Sequence, residues 1–141
     1  MLDRNGFTVI ELLIIMVIIG VLAAIAIPRF GGVKGRAQVA AMKSDLRSLA
    51  TYQEVHRSQF GAYAAVVASN VAGGPAPDPT TGFVPSANVT VVGAIAAGGT
   101  GWNARATHAG APGRQCEIFM AGGQVAGPAG LTNVEGVPGC N

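Results

Sequence analysis

Residues 1–28 read MLDRNGFTVIELLIIMVIIGVLAAIAIP, a short polar start followed by an apolar run that one carboxylate, Glu11, interrupts near its beginning. A lone carboxylate in hydrocarbon costs about 2.5–3.5 kcal/mol on insertion scales, so a chain that keeps one there needs a partner for it. Residues 12–27 carry no charge. Counted from Phe7, the run reaches ~30 Å at ~1.5 Å per helical residue, about one bilayer core. Three readings compete for it. It is a secretory signal peptide cut after Ala24-Ile25-Ala26, a single membrane anchor whose Glu11 snorkels to the interface, or a helix whose carboxylate meets its partner on assembly with other copies.

The remaining composition narrows the function classes. Half of the 141 residues are hydrophobic and only 11% are charged, with a net charge of +2. The nine Lys and Arg residues are scattered, which does not suit a nucleic-acid surface. Glycine is abundant at 21 residues without a collagen period or a longer repeat, and Gly and Ala concentrate beyond residue 60. Such a distribution predicts a long helix followed by a light region of sheet and loops.

The residues around Glu11 carry more. Gly6-Phe7-Thr8-Val9-Ile10-Glu11, the uncharged run, Gly20 within it and Pro28 at its far end together resemble the amino terminus of type IV pilins and of the related pseudopilins of type II secretion. The resemblance implies that a prepilin peptidase cuts between Gly6 and Phe7 and methylates the new Phe7 amine, removing leader residues 1–6. It also implies that Glu11 of an incoming subunit pairs with the Phe7 amine of one already docked. An unpaired charge penalises wrong axial registers, so such a pair aligns parallel helices more than it adds affinity. In similar pilins the stretch between such a glycine and proline can unwind on assembly. The flanking charges point the other way. Arg4 precedes the run while Arg29, Lys34, Arg36 and Lys43 follow it, a bias that alone favours the opposite orientation.

Beyond the apolar run, Val39, Met42, Leu46, Leu49, Tyr52 and Val55 recur at steps of three and four, predicting an amphipathic continuation that lies against a sheet. A helix over 7–59 would extend ~80 Å, more than a domain of this mass needs. Pro28 and the glycines at 20, 31, 32 and 35 predict a kink or local melting in that zone. Residues 60–82 read as a connector around Gly73-Gly74-Pro75-Ala76-Pro77-Asp78-Pro79. Candidate strands follow at 88–95, 102–108 and 115–120, separated by Gly-rich turns, and suggest an antiparallel meander. The expected fold is α+β, divided into leader 1–6, membrane or filament-core segment 7–28, amphipathic half 29–59 and head 60–141.

Cys116 and Cys140 are expected to pair if this part is exported and to remain thiols in a cytosol. A carboxyl-terminal region bounded by a disulfide also recurs in many pilins. His56 and His108 are isolated, no grouping has metal-ligand spacing, and no nucleophile motif or phosphate loop is present. The reading is therefore a non-enzymatic chain with no cofactor and no metal. Eight aromatic residues are better explained by core packing than by conduction.

By resemblance the chain is the structural subunit of a type IV pilus serving adhesion, twitching motility or DNA uptake. Its implied partners are further copies of itself in a helical polymer, a prepilin peptidase, and the pilus assembly machinery of the inner membrane, where the subunit resides before assembly. A pseudopilin of type II secretion is the alternative. Against that alternative, Glu135 is the only carboxylate between Met120 and Asn141, too few for the calcium site of the principal pseudopilin. A monomeric membrane-anchored binding domain is the reading from another class.

Overall fold

A computed structural model describes residues 6–26, 30–96, 98–120, 131 and 134–141. The chain divides into two compact units, residues 1–35 and 36–141.

In the first unit, helix α1 (Val9–Ala26) contains no buried residue. It is long and apolar enough to cross a membrane. Gly20 lies within it as an ordinary helical residue, and a Cβ there would meet open space. Helix α2 runs Phe30–Phe60, and Gly32 and Gly35 are helical too. Among the described residues, the melting expected at these glycines is thus not seen. Pro28, and with it the expected kink, lies outside the described residues.

The second unit sets α2 against a six-stranded antiparallel sheet. Its strands are β1 (Val66–Val71), β2 (Gly74–Ala76), β3 (Val89–Ile95), β4 (Trp102–His108), β5 (Gln115–Met120) and β6 (Gly139–Cys140), in spatial order β2-β1-β3-β4-β5-β6. The α+β class is therefore as the sequence predicts. Period-2 alternation explains which side chains face the helix: Val66 and Ala68, Val89 and Val91, Trp102, Ala104 and Ala106, Cys116 and Ile118 are all buried. They meet Met42, Leu46 and Leu49 of α2, with Tyr63 and Phe83 closing the cluster. Each large side chain so buried contributes about 1.5–3 kcal/mol. Gly93 sits between Val66 and Ala104 across the ladder, where a Cβ would come within 3.1 Å of the Asn103 carbonyl oxygen.

Two expectations need correction. The connector at 60–82 contains β1 and β2, because the Gly73-Gly74-Pro75 cluster is the tip of a hairpin and not the middle of a loop. Gly73 and Gly74 take φ of 121° and 101°, which favours glycine, and the ladder pairs Ser69 with Ala76 and Val71 with Gly74. Pro75 lacks a backbone donor and is tolerated because β2 is an edge strand. The second correction concerns the helix stripe. Tyr52 and Val55 are 43% and 50% exposed, whereas Gln53 between them is fully buried. Gln53 is held there by a pair of backbone bonds, and Tyr52 instead stands edge-on to Phe83 with ring centroids 5.6 Å apart.

Candidate functional site

The amino-terminal site begins where α1 begins. The first N–H groups of a helix have no partner inside it, and Ser or Thr followed three residues later by Glu satisfies them reciprocally. Thr8 and Glu11 do this. The Glu11 carboxylate oxygen Oε2 accepts from the Thr8 backbone N–H at 2.9 Å and from the Thr8 hydroxyl at 2.8 Å, while the Glu11 N–H donates to the Thr8 hydroxyl oxygen at 3.3 Å. The pattern Thr8-x-x-Glu11 is legible in the sequence, and the readings above, which gave Glu11 either a charged partner or water at the interface, pass over it. In this form of the chain Phe7 is still joined to Gly6 by a peptide bond, so it has no amine to offer, and its side chain is exposed.

Below this cap, α1 presents a continuous apolar surface. Leu12, Leu13, Ile14, Met16, Ile18, Ile19 and Leu22 each expose about half or more of their surface. A surface of that extent is stable in lipid or against other apolar helices and not in water.

A second cluster holds the carboxyl-terminal region. Cys116 and Cys140 form a disulfide with Cα atoms 4.1 Å apart, on the paired positions of β5 and β6. Asn141 continues the attachment: its Oδ1 accepts from the Gln115 N–H at 2.9 Å and its Nδ2 donates to the Gly113 carbonyl at 3.3 Å. On the other face of β5, Glu117 is only 2% exposed and pairs with Arg105 of β4, Nε to Oε1 3.0 Å. The Gly136 N–H donates to the Phe119 carbonyl at 3.0 Å, so the segment returning to β6 is anchored as well.

Three polar residues on the buried face of α2 each reach one loop of the head, and sequence reasoning assigned none of them a role. Gln38 donates to the Gly110 carbonyl at 3.0 Å. Asp45 accepts from the N–H and the hydroxyl of Ser86 at 2.9 and 2.7 Å. Gln53 donates to the Ala64 carbonyl at 2.6 Å and accepts from the Ala64 N–H at 2.9 Å. Asp78 plays a similar part within its own loop, taking the N–H groups of Val67, Thr80 and Thr81 and the Thr81 hydroxyl. Burial pushes the Asp78 carboxyl upward, but the donors from Thr81, Val67 and Thr80 outweigh it and hold it below the ordinary carboxylate value.

Both histidines are engaged by backbone. His56 Nδ1 lies 2.8 Å from the Ala62 carbonyl, and His108 Nδ1 lies 2.9 Å from the Gly110 N. Among the described residues, no group of three His, Cys, Asp or Glu side chains is placed to hold a metal ion.

Comparison with known proteins bears on the amino-terminal site. The prokaryotic N-terminal methylation motif matches residues 1–27. The chain is 44% identical over 60 residues to the type IV major pilin protein PilA of Myxococcus xanthus (strain DK1622), a match covering 43% of this chain and 27% of that one. It is 47% identical over 51 residues to a fimbrial protein of Pseudomonas aeruginosa, covering 36% and 33% of the two chains. It is also 31% identical over 61 residues to the type II secretion system core protein G of Pseudomonas aeruginosa, covering 43% of each chain. The chain thus spans well under half the length of the curated relatives it matches. No solved structure matches.

Proposed function

We propose, from the premise that the amino-terminal segment of this chain is that of the type IV pilin family, that the protein is the structural subunit of a type IV pilus. That family is a structural one and not a family of enzymes. The observation that carries the reading is the pairing of an exposed apolar helix with a polar cap built on Glu11 at its start. Cleavage after Gly6 frees a positive amine on Phe7, four residues from the Glu11 carboxylate. Within one subunit, Thr8 satisfies that carboxylate; in a bundle of parallel α1 helices the charged Phe7 amine of a neighbour competes for it. A charge-assisted bond is roughly twice as strong as a neutral one, so the exchange favours the docked register and disfavours others.

In this proposal the precursor sits in the inner membrane and the assembled subunit on the cell surface. The apolar surfaces of α1 leave lipid and bury against one another in the filament core, with Gly20 and Pro28 modulating the helix there. The sheet unit forms the outside, and the Cys116–Cys140 region and the Gly73–Gly74 hairpin supply exposed features for adhesion, motility or DNA uptake. A repeating contact that does not close on itself builds a filament. The similarity to type II secretion core protein G supports the pseudopilin as second reading.

Mass analysis of the mature chain is the test. Processing by a prepilin peptidase gives a terminus at methylated Phe7, whereas a terminus at Ile27 means a signal peptide and ends the pilin reading. Sheared surface filaments containing the chain then separate pilus from pseudopilus.

A further inference from the structure

The second unit, residues 36–141, carries six cationic side chains and five carboxylates, but the two signs are placed differently. Asp45, Asp78 and Glu117 are buried, committed to Ser86, to the Thr80-Thr81 loop and to Arg105. Glu54 and Glu135 are left at the surface, against Arg36, Lys43, Arg47, Arg57 and Arg114. A nearly neutral unit thus shows a cationic exterior. Three of those cations share one side of α2. Steps of seven and four residues bring positions 36, 43 and 47 within ~40° of one another around the helix and spread them over ~16 Å of its length. That side is turned roughly 110° from Met42, Leu46 and Leu49, which face the sheet. Arg36 and Arg47 are exposed, Lys43 is half-buried, and among the described residues none of the three is ion-paired. Their exposed neighbours Ala40 and Ser44 are small and uncharged.

We propose that this side of α2, through Arg36, Lys43 and Arg47, binds the anionic phospholipid headgroups of the membrane that α1 enters. The tether supplies the partner. Three residues separate α1 from α2, so α2 starts within ~15 Å of the last residue of α1. A weak charge contact presented at such short range forms at high effective concentration, and each Lys or Arg near an anionic leaflet adds about a fivefold gain in binding. Other occupants fit less well. A second copy laid along the same side sets cations against cations, since Asp45, the one carboxylate between Leu12 and Gln53, is committed to Ser86. Single-stranded nucleic acid is held by aromatic rings that stack its bases, and α2 has no aromatic residue between Arg36 and Arg47. Lipid contact also gives a use to the cations beyond α1, whose excess opposes the positive-inside rule in the orientation proposed above. The inference rests on the reading of α1 as a membrane helix and adds to it a charge contact made before assembly.

Lys34 and Lys43 are the only lysines in the sequence, so acetylation of the full chain, followed residue by residue by mass spectrometry, reports on this side directly. The chain is placed in lipid nanodiscs of phosphatidylcholine, alone or with about 30% phosphatidylglycerol, at low salt. Lys43 should be acetylated about fivefold more slowly in the anionic discs, and the difference should vanish in about 0.5 M NaCl. Arg36→Gln combined with Arg47→Gln should abolish the slowing, whereas Arg57→Gln combined with Arg114→Gln should leave it in place. Equal Lys43 rates in the two discs, or slowing that survives the Arg36→Gln and Arg47→Gln pair, overturns the proposal. So does a short DNA duplex that slows Lys43 in neutral discs more than phosphatidylglycerol does, which would make this side a nucleic-acid surface. A chain that fails to enter the discs refutes the membrane reading of α1 itself and the lipid contact with it; one that enters with Lys43 unprotected refutes the lipid contact alone.

Discussion

At the scale of single residues, buried polar side chains do work that apolar ones cannot, because they satisfy loop backbone that would otherwise lose its water unpaired. Gln53 is the clearest case. Replacing it by Ala leaves the buried N–H and C=O of Ala64 without partners, at a cost of about 2–4 kcal/mol. Urea unfolding of the detergent-solubilised chain should show that loss, and a change within ±0.5 kcal/mol would deny Gln53 its role. Asp78 makes a prediction about pH. Its folded pKa lies below its unfolded one, so its contribution is complete above the unfolded value, near ~4, and is lost as pH falls through the folded value. Asp78→Asn should therefore be less stable at neutral pH and show a flatter decline in acid. An acid limb as steep as the parent's would mean that other carboxylates set it.

At the scale of elements, the carboxyl-terminal region depends on the disulfide more than on its core. β6 is only Gly139–Cys140, and the bond closes a sequence separation of 24 residues. Constraint of the unfolded chain by such a loop is worth about 3–4 kcal/mol in the entropy model. Cys140→Ser should free the end of the chain and speed proteolysis between Met120 and Gly139, while the β3–β5 ladder stays protected. Protease resistance equal to the parent's under oxidising conditions would show that the Asn141 and Gly136 bonds suffice alone. How much was legible in the sequence also differs by element. β3, β4 and β5 announce themselves, because Val89 and Val91, Trp102 to Ala106, and Cys116 and Ile118 alternate with residues that face away from the helix. The α1 run is equally plain. β1 and β2 are not, since a Gly73-Gly74-Pro75 tip looks the same in a hairpin and in a loop until Val66 is seen to pair with Gly93. The register of α2 near its end is hidden for a different reason: hydrophobicity favours burying Tyr52 and Val55, and the bond partner that buries Gln53 lies eleven residues away in a loop.

For the whole molecule, the decisive question is what the Glu11 carboxylate is for. Part of the candidate site was legible, namely the motif from Gly6 to Glu11 and the two cysteines. The local cap was legible as well, in Thr8-x-x-Glu11, and engages the same carboxylate as the intersubunit role proposed above. The two roles are chemically separable. A glutamine side chain fulfils the capping box as glutamate does, yet carries no charge to meet the Phe7 amine. Filament yield from cells carrying Glu11→Gln, measured on sheared surface fractions beside the parent, therefore tests the central claim. If Glu11 sets axial register through its charge, processing at Gly6 continues while filament yield drops by about tenfold or more. Filaments at the parent's yield and regularity would show that the carboxylate only caps its own helix, and would contradict the account.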